Sequence, residues 1–237
     1  MSKQAIFVTG ATGYIGVRLL NELNSHSFRL IALVRPGSEN KIPASIEKIV
    51  ANVFQPEEWM AKVPHQCIFI HLLGVSHPSL AWKKLFESID LRAVQMVADV
   101  ARNLQAKKFI YLSVAMEPGP IMKDFQEAKR KGEEYIKALH LPYVFIRPWY
   151  VLGPGRWWPY LLFPLFKLLQ IIPATAKKAK ALGFVSIQQM ILSLKFIVSH
   201  PDDAPEIVEI DEIKRMVPEG IDSKKHAWHK NLNRLAI

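Results

Sequence analysis

Three glycines near the amino terminus carry the clearest chemical signal in the sequence. Gly10, Gly13 and Gly16 follow a short apolar run and have the spacing G-x-x-G-x-x-G. Gly10 would allow a tight turn, Gly13 the close approach of an anion, and Gly16 the close packing of a helix whose dipole attracts negative charge. We therefore expect the turn to bind the diphosphate of a dinucleotide. Further contacts are expected from three residues inside it, Thr12, Tyr14 and Ile15.

Arg35 bears on the choice between NAD and NADP. It follows the apolar run 29–34, where NAD-binding folds usually place an Asp or Glu that accepts from the adenosine ribose hydroxyls. A guanidinium there suits the 2′-phosphate of NADP, because its planar fork pairs with phosphate oxygens. We therefore predict NADP as the cofactor, with NAD as the weaker alternative. A surface arginine without such a contact is the other interpretation.

The elements that would position these residues alternate along the chain. Short apolar, β-branched runs predict strands at 5–9, 29–34, 48–51, 67–73, 108–112, 143–146 and 207–210. Longer runs with helical periodicity predict helices at 14–23, 80–103, 123–139 and 187–198. Strands that alternate with helices predict an α/β fold, with a doubly wound parallel sheet and helices on both faces.

The sequence changes character after residue 150. We expect residues 1–150 to form a dinucleotide-binding core, and residues 151–237 a small C-terminal substrate-side lobe with a basic tail, packed on the core as one domain. The segment Trp157 to Pro173 is unusually aromatic and apolar. It either packs on the core, lines an apolar substrate pocket, or contacts a membrane surface or a protein partner.

The glycine turn and four later motifs resemble the short-chain dehydrogenase/reductase superfamily. The stretch Val8 to Gly16 is similar to its signature, and matches follow in order at His71 to Gly74, Tyr111 to Ser113, Arg147-Pro148 and Val151 to Pro154. The resemblance covers about residues 3–210 and favours the NAD(P)-dependent epimerase/dehydratase and NmrA-like branches. It implies a Rossmann-type sheet, a cleft shaped by Arg147-Pro148 and three more cofactor-binding residues, Leu73, Gly74 and Pro148.

The catalytic residues that the resemblance implies are incomplete. The superfamily has a Tyr-x-x-x-Lys pair after the fifth strand, in which the tyrosine transfers a proton and the lysine holds the nicotinamide ribose. Lys129 matches the lysine, but Phe125 stands where the tyrosine should be, and Tyr135 is expected on another helix face. Ser113 either matches the serine that polarises the substrate carbonyl or caps the strand end. Lys129 and Ser113 are therefore the candidate catalytic residues.

Three functions remain compatible with these residues. An NADP(H)-dependent oxidoreductase or epimerase-like enzyme would act on a small carbonyl or quinone substrate, apolar if the aromatic segment lines its pocket, with Lys129 as the acid. A non-catalytic sensor, accessory or assembly protein would bind NADP(H) as a ligand that stabilises the fold or shifts a conformational equilibrium. In the third, the nucleotide is structural and Trp157 to Pro173 is an interaction surface.

Composition and charge restrict the partners and the location that we expect. The formal net charge of +10 favours anionic partners, but no zinc-finger or helix-turn-helix motif accompanies it, so nucleic acid is not expected. The eight histidines show no metal-ligand spacing, and no metal is expected. No leader pattern precedes the first strand and no apolar run suits a membrane span, which predicts a cytoplasmic protein. The sequence leaves the oligomeric state open.

Overall fold

The computed structural model describes residues 3–23, 27–74, 86–116, 123–155 and 183–216 of the 237-residue chain. The strands in these residues are β1 Gln4–Thr9, β2 Phe28–Val34, β3 Glu47–Val50, β4 Ile68–His71, β5 Lys108–Leu112, β6 Tyr143–Ile146, β7 Tyr150–Leu152, β8 Phe184–Ser186 and β9 Ile207–Val208. Seven of them form one parallel sheet in the order β3-β2-β1-β4-β5-β6-β9. The other two, β7 and β8, pair in parallel with each other.

Helices cover both faces of the main sheet. The α-helices of the described residues are α1 Tyr14–Leu23, α2 Arg92–Asn103, α3 Lys123–Ala138, α4 Ile187–Ser199 and α5 Ile210–Arg215. A π-helical turn, Phe86–Leu91, leads into α2. Short 3-10 turns lie at Glu39–Lys41, Pro56–Glu58 and Met60–Lys62. In the part of the chain that the structure describes, no helix is both long and apolar enough to cross a membrane.

The core consists of two apolar layers, one on each face of the sheet. Ile6 and Val8 of β1 belong to the layer that contains the buried residues of α1 and α4, while Phe7 belongs to the layer of α2 and α3. All three side chains are fully buried. Because both faces are covered, the central strands are continuously apolar rather than alternating, as is usual for parallel sheets. The predicted α/β, doubly wound fold is confirmed.

The element bounds differ from the sequence-based expectations in a few places. The predicted strand 207–210 ends at Val208, because Glu209 and Glu212 form a reciprocal capping box that starts α5. The described part of the predicted helix 80–103 begins with the π-helical turn. The sequence analysis also missed the short strands β7 and β8. β9 adds to β6 through two residue pairs, so a segment beyond residue 150 completes the main sheet.

The two segments whose roles were left open by the sequence, Trp157 to Pro173 and the tail from Pro218, lie outside the described residues. Beyond residue 153 the structure describes residues 154–155 and 183–216, which include β8, α4, β9 and α5. α4 begins with a capping box, in which Ser186 Oγ accepts from the Gln189 amide and the Gln189 side chain accepts from the Ser186 amide. α4 also contacts α1 on one face of the sheet.

Candidate functional site

The glycine turn joins β1 to α1 at the carboxyl edge of the sheet. Gly10 has φ +70°, and its carbonyl accepts a hydrogen bond from the Gly13 amide at 3.0 Å. A Cβ on Gly10 would lie 2.6 Å from the carbonyl carbon of Leu72 and 2.6 Å from the amide nitrogen of Leu73. The chain can make this turn against the end of β4 only because residue 10 has no side chain.

Gly16 allows the first turn of α1 to lie directly on this loop. A Cβ there would lie 2.6 Å from the carbonyl oxygen of Ala11 and closer still to that of Gly10. Gly13 is exposed just before the helix begins at Tyr14. The amides of a first helical turn have no intrahelical partners, so the exposed end of α1 has the geometry of an anion site.

The turn lies where the strand order of the sheet reverses. β1 stands between β2 and β4, and the helices α1 and α2 that come after β1 and β4 cover opposite faces. Open parallel sheets bind ligands in the crevice at the carboxyl ends of such strands. Leu73 and Gly74 follow β4 at this crevice. The Leu72 amide donates to the Thr9 carbonyl at 3.0 Å and so holds the two strand ends together.

His71 ends β4 and ties it to β1 through a buried side-chain contact. Its Nδ1 lies 2.8 Å from Thr9 Oγ1, within hydrogen-bond distance. Burial, with a smaller effect from the Lys129 charge, lowers the pKa of His71 to about 3. The imidazole is therefore neutral at neutral pH, and it joins the strand ends without adding charge to the crevice.

Tyr14 connects the glycine turn to the C-terminal part of the chain. A Cβ on Gly153, after β7, would overlap the Tyr14 hydroxyl and lie 2.6 Å from Ile187 Cγ2, so the tyrosine fits only beside a glycine. The Arg18 guanidinium stacks 4.1 Å above the Tyr14 ring centroid, and its Nη1 donates to the Tyr14 carbonyl at 2.9 Å. Sequence analysis missed this cation, which lies one helical turn beyond the glycine turn.

Arg35 is exposed immediately after β2. Its carbonyl accepts from the Ser38 amide at 3.1 Å, in a turn that contains Gly37 at φ +81°. No other residue in the described ranges forms an ion pair or a side-chain hydrogen bond with its guanidinium. Arg29, near the opposite end of β2, instead pairs with Glu47 through three hydrogen bonds of 2.9 to 3.1 Å. The guanidinium of Arg35 is therefore available to an anionic ligand.

Lys129 extends from α3 to the carboxyl ends of the central strands and is 4% exposed. Its Nζ donates to the Leu112 carbonyl at 3.2 Å and lies 3.5 Å from Asp90 Oδ1. The rings of Tyr111 and Phe125 also face it, with Nζ 5.0 and 5.6 Å from their centroids. Burial lowers the pKa of Lys129, and the Asp90 carboxylate opposes that effect. The sequence did not predict this buried ion pair.

Ser113 follows β5, and its amide donates to the Ile146 carbonyl at 2.9 Å. Its Oγ is buried and has no hydrogen-bond partner among the described residues. The same holds there for His71 Nε2 and the Tyr111 hydroxyl. Buried polar atoms without partners are destabilising, so these three atoms are candidates for contact with a bound ligand or with water.

Arg147 holds elements together rather than presenting its charge to the crevice. Its guanidinium donates to both carboxylate oxygens of Glu133, at 2.9 and 2.5 Å, and to Glu209 at 2.8 Å. Arg147 thereby joins the end of β6 to α3 and to the start of α5. Pro148 is the member of the Arg147-Pro148 pair that lies beside the loop after β5, because its carbonyl accepts from the Ala115 amide at 3.1 Å.

Asp90 is a candidate site residue that sequence analysis missed. It is 1% exposed in the π-helical turn before α2. The signal that could have found it is its spacing to three buried apolar residues, Ala93, Val94 and Val97. Separations of three, four and seven residues place the carboxylate on the apolar face of a helix, where an unpaired charge would be destabilising.

Two other expectations concerned Tyr135 and metal binding. The Tyr135 hydroxyl donates to Asp99 at 2.8 Å on the exposed surface, so Tyr135 lies on a different face of α3 from the buried Lys129. Within the described ranges, no group of three or more His, Cys, Asp or Glu side chains could hold a metal ion. Cys67 is buried, and burial raises the pKa of its thiol to about 12.

Two comparisons with known sequences relate the chain to an NAD(P)H-binding family and to two reductases. A family model described as NAD(P)H-binding matches residues 10–153. The chain is 21% identical over 216 residues to a ceramide reductase of Caulobacter vibrioides, covering 90% of this chain and 66% of that protein. It is 29% identical over 147 residues to a chloroplastic divinyl chlorophyllide a 8-vinyl-reductase of Zea mays, covering 58% of this chain and 36% of that protein. The chain thus spans less than two thirds of the length of these relatives.

Solved structures share the fold. The UDP-glucuronic acid 4-epimerase from Bacillus cereus in complex with NAD matches with a TM-score of 0.63 and 18% identity, over 87% of this chain and 78% of that chain. A short-chain dehydrogenase/reductase superfamily protein from Agrobacterium tumefaciens with bound NAD matches with a TM-score of 0.64 and 14% identity, over 86% and 76%. These matches agree with the Rossmann-type sheet implied by the sequence motifs.

Proposed function

Because the chain belongs to the NAD(P)H-binding family, we propose that it is an NADPH-dependent reductase that acts on the carbonyl group of an apolar substrate. The observation that carries the proposal is the glycine turn at the point where the strand order reverses, where Gly10 and Gly16 leave no room for a Cβ. The reductase names of the two sequence relatives support reduction as the reaction. The apolar composition of Trp157 to Pro173 supports the substrate class.

The cofactor would lie along the carboxyl edge of the sheet. Its diphosphate would contact the glycine turn, through Gly10, Thr12, Gly13, Tyr14, Ile15 and Gly16. Its adenosine end would reach Arg35, and its nicotinamide end would lie near Leu73, Gly74, Lys129 and Pro148. Bound there, NADPH supplies a hydride to the substrate. The guanidinium of Arg35, which has no side-chain partner in the described ranges, supports NADPH over NADH, because a phosphate and a guanidinium form charge-assisted hydrogen bonds.

Lys129 and Ser113 are the residues that would handle the substrate oxygen. Ser113 Oγ, buried and without a partner in the described residues, would donate a hydrogen bond to the carbonyl oxygen. An ammonium has three N–H bonds, and in Lys129 two are directed at Asp90 and the Leu112 carbonyl. The third would give its proton to the oxygen as the carbon receives the hydride. The Nζ–H bond breaks, an O–H bond forms, and water later returns a proton to the amine.

Isothermal titration with NADPH, NADP, NADH and NAD tests the cofactor. We expect NADPH to bind at least about tenfold more tightly than NADH, since a hydrogen bond to a charged group contributes about 1.5–3 kcal/mol. Arg35→Ala should remove most of that difference. Arg29→Ala, at the other end of β2, is the matched control and should keep it. Equal or tighter binding of NADH by the unaltered protein would rule out the NADPH assignment.

NADPH oxidation in the presence of aldehydes, ketones and quinones with apolar chains tests the reaction. We expect turnover with at least one carbonyl compound, and none after Lys129→Met. NADPH binding without turnover across the panel would instead support the non-catalytic function left open by the sequence.

A further inference from the structure

Asp90 and Lys129 form a buried ion pair between two helical segments. Asp90 lies in the π-helical turn before α2 and Lys129 lies on α3, with 3.5 Å between Oδ1 and Nζ. The Asp90 side chain is fully buried and that of Lys129 is 5% exposed. A buried charge pair contributes little net stability compared with apolar packing, so its presence needs another explanation.

Gly74 places this pair at the cofactor crevice. A Cβ on Gly74 would lie 2.5 Å from Asp90 Oδ1 and 3.3 Å from Lys129 Nζ. The carboxylate and the ammonium therefore lie directly against the backbone that follows β4. The hydrogen bond from Nζ to the Leu112 carbonyl adds the end of β5 as a second support. Both strand ends belong to the edge at which open parallel sheets bind ligands.

Among the residues that the structure describes, no other group around Lys129 replaces the Asp90 charge. The Tyr111 and Phe125 rings are uncharged, and burial raises the pKa of Tyr111 well above its usual value. His71 is neutral at neutral pH. Glu133 favours the charged form of Lys129 less strongly than Asp90 does, and its carboxylate is already bound by Arg147. Asp90 is thus the main counter-charge to the ammonium.

We propose that Asp90 is a positioning residue that keeps the ammonium of Lys129 charged and directed at the carboxyl ends of β4 and β5. This inference rests on the proposed reductase function, in which Lys129 is the proton donor. Asp90 contacts neither substrate nor cofactor in this role and acts only through Lys129. The sequence has Phe125 where a tyrosine would supply the proton, so the state of Lys129 decides whether a proton is available.

Nuclear magnetic resonance of protein labelled with ¹³C at lysine Cε tests the proposal without any turnover. The Lys129 resonance is identified by its loss in Lys129→Met, and its titration midpoint is measured in each variant. We expect Asp90→Asn to lower the midpoint by about 1–3 pH units, the usual effect of an adjacent opposite charge. Asp90→Ser is a second uncharged replacement, to be used if the Asp90→Asn protein folds poorly. Asp90→Glu should restore a midpoint close to that of the unaltered protein.

Glu127→Gln is the matched control, because this carboxylate lies on α3 two residues before Lys129 but is exposed and paired with Arg130. It should leave the midpoint in place. The NADPH affinity of Asp90→Asn should stay within about threefold of that of the unaltered protein. The alkaline limb of its kcat/KM profile with an active carbonyl substrate should move to lower pH by as much as the Lys129 midpoint does. A midpoint that is the same with and without the Asp90 charge overturns the inference. Failure of NADPH to bind would overturn the proposed function but leave the ion-pair measurement valid.

Discussion

At the scale of the residue, the candidate site depends as much on absent side chains as on charged ones. Gly10 and Gly16 leave the space in which the turn folds against β4 and α1. Gly74 leaves the space in which the Asp90–Lys129 pair reaches the crevice. Gly37 has a weaker reason to be glycine: its φ is also positive, but no atom of the described residues lies within 4 Å of where its Cβ would be.

Gly10→Ala and Gly37→Ala form a matched pair that separates these effects. Both would place an alanine in the left-handed region, at a cost of about 1–2 kcal/mol. Gly10→Ala would add overlap with the Leu72 and Leu73 backbone, at about 1–3 kcal/mol more. Urea unfolding should therefore show a clearly larger loss of unfolding free energy for Gly10→Ala. Equal losses in the two variants would contradict the close approach of β4 to the turn.

At the scale of the element, ion pairs rather than apolar contacts alone fix how α3 meets the sheet. Arg147 follows β6 and binds Glu133 of α3 and Glu209 at the start of α5. The Glu133 side chain is 4% exposed and that of Glu209 is 46% exposed. Both carboxylates bind the Arg147 guanidinium. Removal of the Glu133 charge would leave the buried guanidinium without its buried counter-charge, whereas removal of the exposed Glu209 charge would not.

Glu133→Gln and Glu209→Gln should therefore differ in effect. Removing one partner of a buried pair costs about 3–5 kcal/mol, whereas an exposed pair contributes about 0–1 kcal/mol. We expect the large loss for Glu133→Gln and the small one for Glu209→Gln, measured as unfolding free energies in urea at neutral pH. Similar losses would show that the Arg147 charge is solvated in solution.

At the scale of the whole molecule, stability depends on groups that are buried in one protonation state. His71 is neutral in the folded protein, with a pKa lowered to about 3 from the ordinary 6.5 by burial and the Lys129 charge. Between these two values the unfolded chain binds a proton that the folded protein does not. The contribution of the neutral His71 side chain to the free energy of unfolding is therefore present above pH 6.5 and is lost progressively as the pH falls towards 3.

His71→Gln should reduce this loss of stability in acid. For a single group with these two pKa values, lowering the pH from 7 to 5 removes about 2 kcal/mol of unfolding free energy. The variant should lose about that much less than the unaltered protein over the same interval, whatever its stability at pH 7. His65→Gln changes an exposed histidine and serves as the control. An unchanged difference between pH 7 and pH 5 in His71→Gln would contradict a buried neutral imidazole.

Local sequence patterns predicted most of the elements and the position of the glycine turn. The bounds of α1, β5 and β6 agree with the predicted ones, and the glycine spacing located the β1–α1 turn. These features are local. Periodicity indicates how many faces of a segment are buried, and glycine indicates where the backbone bends sharply or approaches another segment closely. Lys129 and Ser113 were identified by order along the chain, and their roles stay predictions.

Contacts between side chains that are distant in the sequence followed from the packing of the folded chain. Asp90 with Lys129, Thr9 with His71, and Glu133 with Arg147 are each separated by many residues, and no local pattern pairs them. The partner of a side chain depends on which helix packs over which strand end, a property of the strand order and of the layers on each face. This packing buries Lys129 beside the Asp90 carboxylate. The four-residue spacing between Phe125 and Lys129 predicted only that the two residues share a helix face.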